Sequence, residues 1–250
     1  MHVTGLARTA LITRAQEQVT PQSEAQLNEL LTRRARGEPV AYLTGRREFW
    51  SLELSVTPDV LIPRPETELL VEQALARIPD ESAWTIADLG TGSGAVALAV
   101  ATERPRCRVL ATDISTAALA VARRNAQQLN IRNIEFHHGE WYAPLAGQVV
   151  DLLVSNPPYV AEGDLHLSRG DVRFEPQTAL IAGDDGLEAI RRIAAGAAAH
   201  LGPGGWLLLE HGADQGAAVV QILAAQGFTA ITGHRDLAGL DRVTAARQAR

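Results

Sequence analysis

A single cysteine, Cys107, leaves no internal disulfide to be made, and no His/Cys spacing resembles a zinc site. Cys107 stands near the start of an apolar run and reads as a small packing residue, not a nucleophile. No metal is expected. No stretch approaches the roughly 20 apolar residues that a membrane helix needs. The first residues carry Arg8, Arg14 and Glu17 without a long apolar core, so no signal peptide is read there. The chain therefore reads as soluble and cytoplasmic, with no membrane partner. A basic excess is also missing: 23 Lys and Arg face 29 Asp and Glu, a net charge of -6. That balance lacks the footprint of a nucleic-acid binder, and direct nucleic-acid binding is not expected. There is no internal repeat and no low-complexity tract.

The 250 residues are 46% hydrophobic, enough for one large domain or one domain with a small appendage. Residues 21–36 predict a helix. Leu27, Leu30 and Leu31 recur at helical spacing, arginines fill the last turn, and Gly37 stops it. Residues 40–60 predict a short hairpin or extended arm, because Leu52, Leu54 and Val56 alternate with polar residues. Residues 61–65 form a stiff connector, since each proline disfavours helix in the residue before it. Pro65 suits the first turn of a helix running to about residue 78. From residue 84 onward strands and helices alternate. Strands are predicted over 85–89, 109–111, 149–154 and 206–209, and helices over 95–102, 116–128, 186–199 and 215–226. Such alternation implies an α/β fold, a mainly parallel sheet covered by helices on both faces.

Asp88-Leu89-Gly90-Thr91-Gly92-Ser93-Gly94 follows one predicted strand and opens a predicted helix. Glycines here allow a tight turn and close approach of a ligand to main-chain N–H groups. The spacing is neither the dinucleotide fingerprint nor a P-loop. The next strand ends at Asp113, whose carboxylate can accept both hydroxyls of a ribose across the crevice. The plainer alternative is a tight turn with Asp113 capping the following helix. Strand, loop, helix and second-strand acid in this order favour a nucleotide-like ligand, and a nicotinamide dehydrogenase also fits them.

Asn156-Pro157-Pro158-Tyr159 ends a buried-type strand, where catalytic groups cluster in this architecture. A planar amide or exocyclic amine nitrogen is a poor nucleophile because its lone pair is delocalised. Asn156 Oδ1 and the Pro157 carbonyl are two acceptors able to take its N–H bonds. The prolines stiffen the loop, and Tyr159 offers a flat face for a planar group. Methyl transfer from S-adenosylmethionine (SAM) would then depend on positioning and not on a strong base. The alternative is a strand ending in a proline turn.

Together these residues resemble class I methyltransferases acting on planar nitrogens. The flanking segments Arg36-Gly37-Glu38-Pro39-Val40-Ala41-Tyr42-Leu43-Thr44-Gly45, Glu48-Phe49-Trp50, Ile62-Pro63-Arg64-Pro65-Glu66-Thr67-Glu68, Arg173-Phe174-Glu175-Pro176 and Leu209-Glu210-His211-Gly212 narrow the resemblance to the HemK/PrmC family. It implies a Rossmann-like, seven-stranded, mainly parallel sheet. It also implies methylation of the glutamine amide nitrogen (N5) in the Gly-Gly-Gln motif of class I peptide chain release factors, with SAM as co-substrate. By resemblance the SAM site falls on Gly90, Thr91, Gly92, Ser93, Gly94, Asp113, Trp141 and Asn156. The catalytic and substrate site falls on Asn156, Pro157, Pro158 and Tyr159. Residues 174–176 and 64–66 would shape the pocket mouth, although Glu66 and Glu175 suit a helix cap or an ion pair equally well. The family carries a longer amino-terminal helical domain, so residues 1–78 read as a truncated form of it with a hairpin and linker. Residues 79–250 read as the SAM-binding domain.

Two other functions share parts of this pattern. An adenine-N6 or other nucleic-acid amino-methyltransferase meets the same lone-pair problem, but it needs base flipping and a basic surface or recognition domain. A non-catalytic SAM-binding scaffold has no use for two aimed acceptors.

Overall fold

The structure is a computed structural model that describes residues 1–168 and 170–249. Its frame is a seven-stranded sheet built from β3 (Thr85–Leu89), β4 (Arg108–Asp113), β5 (Ile134–His138), β6 (Val150–Ser155), β7 (Leu201–Glu210), β8 (Thr229–Arg235) and β9 (Asp241–Arg247). The strand order is β5-β4-β3-β6-β7-β9-β8. The first five run parallel, β9 runs antiparallel to β7, and β8 pairs antiparallel with β9 at the edge. β3 and β6 are buried along nearly their whole length, which is why they read as continuous apolar runs and not as alternation.

Helices cover both faces. On one side α4 (Glu68–Leu75) and α5 (Ala95–Glu103) pack Leu70, Val71, Leu98 and Val100 onto Ile86, Val109 and Leu152. On the other, α7 (Glu188–Ala197) and α8 (Gly216–Ala225) pack Ile190, Ile193, Val219 and Leu223 onto Leu89, Leu110, Leu153 and Leu207. Each such aliphatic side chain stabilises by about 1.5–3 kcal/mol on full burial. α5 is buried from Ala95 to Ala101, so its small residues let it lie close against the sheet directly after the glycine loop.

The amino-terminal part holds α1 (Arg8–Thr13), α2 (Pro21–Ala35), α3 (Val40–Thr44) and the hairpin of β1 (Arg46–Phe49) and β2 (Leu52–Ser55). The predicted arm over 40–60 thus begins as helix. Pro39 precedes α3, and Gly45, at φ 71°, ends it in the left-handed conformation that a non-glycine residue resists. A small cluster of Tyr42, Val56, Val60 and Ile62 packs on Ala118 and Val121 of α6 (Thr116–Gln128). This contact fixes the connector 61–65 above the carboxyl ends of the strands.

Other differences are local, and α1, β5 and β9 are not among the predicted elements. β7 starts at Leu201, earlier than expected, because Gly202, Pro203, Gly204 and Gly205 disguise its first half, which also shifts register against β6. The edge strand β8 is mostly exposed and shows no apolar alternation. α4 stops at Leu75, short of the predicted residue 78.

One buried amide joins the two parts. Asn125 Oδ1 accepts from Ser55 N at 2.7 Å, while its Nδ2 donates to Ser55 O at 3.0 Å and Ser93 O at 2.9 Å. Asn125→Ala would strand a buried N–H and two carbonyls. The expected loss is roughly 2–4 kcal/mol of unfolding free energy, read as a lower denaturant midpoint at unchanged slope. A loss below about 0.5 kcal/mol, the range of ordinary surface substitutions, would contradict this role.

Candidate active site

From β3 the chain builds β4 and β5 to one side and β6 and β7 to the other. That reversal leaves a crevice outside the carboxyl ends of the central strands, the place where open α/β sheets bind ligands. A cavity of about 390 Å³ opens there. Gly90, Thr91, Gly92 and Ser93 line it after β3, Asp113 at the end of β4, and Asn156 and Pro158 after β6.

The glycine loop needs its glycines for stated geometric reasons. Gly90 and Gly92 hold φ of 73° and 56°, and a Cβ on Gly92 would meet nothing within 4 Å, so its backbone faces open space. Gly94, at φ 85°, packs so closely on Leu98 and Ala122 that a side chain would force them apart. Asp113 braces the loop: Gly92 N donates to its Oδ2 at 2.9 Å and Ser115 N to its Oδ1 at 2.8 Å. A carboxylate offers about four acceptor sites, and these bonds use two, leaving capacity toward the cavity. Asp113 therefore orients the start of α6 and also lines the cavity. Trp141 lines it as well, at φ 47°, unusual for a bulky residue, with its carbonyl held by the Thr112 hydroxyl at 3.1 Å. Its indole Nε1 is buried without a partner.

The tetrapeptide is fixed from several sides. The Ser155 hydroxyl donates to Leu89 O at 2.7 Å, tying the ends of β6 and β3. Asn156 Nδ2 donates to Thr67 Oγ1 at 3.1 Å, which leaves Asn156 Oδ1 as the free end of the amide. The Tyr159 carbonyl accepts from Gln215 Nε2 at 3.0 Å, and its hydroxyl donates to Glu210 Oε1 at 3.5 Å. Gly186 packs against that carbonyl so tightly that a Cβ would sit 2.4 Å from it. A second cavity of about 220 Å³ is lined by Asn156, Pro157, Tyr159, Leu61, Leu167 and Val172, among others. Asn156 and Arg64 line both cavities.

Of the residues set at the pocket mouth, Arg64 and Pro176 line the first cavity. Glu175 is buried, pairs with Arg64 and accepts from Ile62 N at 3.1 Å, so it acts as a clamp on the connector. Glu66 is exposed and lines neither cavity. Several residues of the site were missed from sequence. Thr67 and Asp88 lay inside quoted motifs without a role. Ile114, 61% exposed, lines the first cavity, and an apolar residue directly after a strand-end acid was its signal. Glu210 ends β7 and is buried behind the tetrapeptide.

Burial makes the site's electrostatics. Asp88 is pushed up to about 7, chiefly by desolvation, with the Thr91 hydroxyl at 2.7 Å opposing and Asp113 adding to the rise. Asp113 is raised for the same first reason. Buried Asp88, half-buried Asp113 and an unpaired indole N–H, on a wall that also carries apolar residues such as Val60, Val96 and Ala118, fit a ligand that is cationic at one end and carries a ribose and a base. SAM meets that description.

Residues 65–171 match the Methyltransferase small domain family and residues 1–45 the PrmC N-terminal domain family. A release factor glutamine methyltransferase of Xylella fastidiosa is 53% identical over 99% of this chain and 90% of its own length. The Escherichia coli protein of that name is 51% identical over 98% and 88%. A methyltransferase from Pyrococcus furiosus shares the fold, with a TM-score of 0.61 at 16% identity over 88% of this chain and 98% of that one. A T. thermophilus 16S rRNA methyltransferase in complex with AdoMet and guanosine also has a TM-score of 0.61, at 19% identity over 81% and 49%. Sheet order and family match define a class I SAM-dependent methyltransferase. At this identity and coverage the chain belongs to the release factor glutamine methyltransferase family.

The buried carboxyls also predict a pH dependence. The folded state keeps Asp88 protonated up to about 7, whereas an unfolded Asp releases its proton near its ordinary value. The unfolded chain therefore binds fewer protons between these values, and stability falls as pH rises through them. Unfolding free energy without ligand should drop on the order of 1–4 kcal/mol between pH 5 and pH 8. Asp88→Asn should reduce that slope by roughly half, because buried Glu210, also raised to about 7, keeps its own contribution. An unchanged slope in the variant would contradict the assignment.

Proposed function

We propose that the chain transfers a methyl group from SAM to the side-chain amide nitrogen of the glutamine in the Gly-Gly-Gln motif of class I peptide chain release factors. The observation that carries this is Asn156, which lies on the wall between two cavities with its Nδ2 tied back to Thr67. One cavity suits the methyl donor and the other the acceptor, and Asn156 is the residue of the tetrapeptide that lines both.

In this reading Gly90, Thr91, Gly92, Ser93 and Gly94 shape the donor site, Asp113 takes the ribose and Trp141 flanks the base. When bound, SAM supplies an electrophilic methyl on a positively charged sulfur. Asn156 Oδ1 and the Pro157 carbonyl accept the two N–H bonds of the glutamine amide and aim the nitrogen lone pair at the methyl carbon. A new N–C bond forms as the C–S bond breaks, the electron pair stays on sulfur, and the nitrogen loses one proton to water. Pro157 and Pro158 hold the acceptors with little entropy to lose. Tyr159 supports the planar amide. Residues 1–78 are assigned to substrate docking and residues 79–250 to SAM binding.

The test is methyl-labelled SAM offered with a release factor, with a Gln→Ala variant of its Gly-Gly-Gln motif, and with nucleic acid. Label is expected on the unaltered release factor alone. Label on the Gln→Ala variant, or on nucleic acid with none on the release factor, would overturn the proposal, the latter in favour of an amino-methyltransferase of bases.

A further inference from the structure

The wall of the first cavity holds one residue in a conformation that its side chain resists. Ala143 N donates to Glu140 O at 2.9 Å and closes a turn with Trp141 at its second position. Trp141 has φ 47°, and Tyr142 follows at φ -91° and ψ -13°. Positive φ at the second position alone is the type II′ pattern, which favours glycine there. A tryptophan in that place is strained and persists only where its surroundings overrule the preference. The indole lies against the glycine loop, with its ring 3.5 Å from where a Cβ on Gly90 would stand, and it lines the cavity. The Thr112 hydroxyl donates to the Trp141 carbonyl at 3.1 Å. That bond fixes the peptide after Trp141 and leaves the turn itself to be held by its other neighbours.

The residues on both sides of Trp141 are tied to α7. Glu140 pairs with Arg192 at 2.8 Å, but both side chains are about half exposed, which makes a weak tie. Tyr142 makes the stronger one. Its hydroxyl donates to Ile193 O at 2.7 Å, and its ring stacks on His200 with centroids 4.6 Å apart and planes 5° from parallel. Burial pushes the phenol up, so the hydroxyl keeps its proton and stays a donor. Gly196 makes room for the ring: a Cβ there would sit 2.6 Å from Tyr142 Cε2 and 2.7 Å from Cδ2. Gly196 is helical, in the last turn of α7, so no positive φ requires a glycine there. Alanine is the better helix former, and the notch for Tyr142 is the packing reason for its absence.

We propose that Tyr142 is a positioning residue for SAM: seated in the Gly196 notch, it anchors the strained turn and keeps the Trp141 indole standing against Gly90 at the base site. The proposal rests on the reading of Trp141 as the wall that flanks the base. Trp141 faces the cavity, and Tyr142 packs on α7. Tyr142 is held at its hydroxyl, on its ring face and along its ring edge. The backbone between the two residues therefore cannot relax to negative φ without pulling that ring from its seat. With Tyr142 released, the turn relaxes, the indole swings away from Gly90, and SAM loses one wall of its site. Tyr142 lines neither cavity, so it does not touch the reacting atoms. Its effect falls on SAM binding and not on methyl transfer at saturating SAM.

The test measures the SAM dissociation constant by titration calorimetry, with kcat on a release factor at saturating SAM and a thermal melt beside it. The proteins are wild type, Tyr142→Leu, Tyr142→Phe, Gly196→Ala, Trp141→Ala and the Tyr142→Leu/Trp141→Ala double variant. Tyr142→Leu is expected to weaken SAM binding at least about tenfold and to leave kcat within about threefold. Gly196→Ala, which pushes the ring out from the other side, weakens binding at least about fivefold although alanine is the better helix former. Tyr142→Phe keeps the seated ring and stays within about threefold of wild type. In the Trp141→Ala background, Tyr142→Leu costs less than about a further twofold, because its effect passes through an indole that is gone. A role in stability alone would give equal losses of affinity in both backgrounds. That result, a Tyr142→Leu affinity within about twofold of wild type, or a kcat that falls as far as the affinity, would overturn the proposal. If Tyr142→Leu does not fold, Gly196→Ala decides: an affinity within about twofold of wild type overturns the role. Trp141→Ala separates the two failures. Unchanged SAM affinity there sinks the reading of Trp141 as the base wall, whereas a loss there with none in Tyr142→Leu sinks the positioning role alone.

Discussion

The hydrogen bond from Asn156 Nδ2 to Thr67 Oγ1 is the contact on which the rest of the site depends. An amide side chain presents a donor at one end and an acceptor at the other, and only the acceptor end can take an N–H from a planar nitrogen. Tying Nδ2 back to Thr67 settles which end is free. Thr67 is able to do this because the connector before α4 is pinned. Ile62 N and Arg64 are held by Glu175, and Ile62 packs with Tyr42 and Val56 onto α6. The hairpin and the connector, far from the sheet in sequence, thus help to hold Thr67 and, in the proposed function, the geometry of the amide site.

The sheet supplies the other half of that geometry. Its order turns at β3, and the ends of β3, β4 and β6 bring Gly90, Asp113 and Asn156 to one crevice, with Glu210 buried at the end of β7. Burying acids there is unfavourable in the free protein, and Asp88 and Glu210 are both raised to about 7 in consequence. In the proposed function a bound ligand would offset part of this cost at Asp88, so some folding stability would be exchanged for affinity.

The glycine loop, the strand-end acid and the tetrapeptide were legible because each needs particular residue types at fixed spacing. Gly92 at φ 56° and Gly94 against Ala122 admit few substitutes. The central strands were legible because burial on both faces demands unbroken apolar runs. What escaped was of two kinds. β8 and the first half of β7 lack apolar pattern, being held by pairing with neighbours and not by side chains. Thr67, Asn125 and Glu210 act across sequence separations of 89, 70 and 51 residues, and no local pattern announces such partners. Glu175 was readable only as an acid near the mouth, and its clamp on Ile62 and Arg64 appears once the chain is folded.

In the proposed function, rate comes from aiming a weak nucleophile with two fixed acceptors. The single-turnover methylation rate of Asn156→Ala on a release factor tests it most directly. Loss of one oriented acceptor predicts a rate lower by a factor of about 10 to 100. A rate equal to wild type would contradict the account.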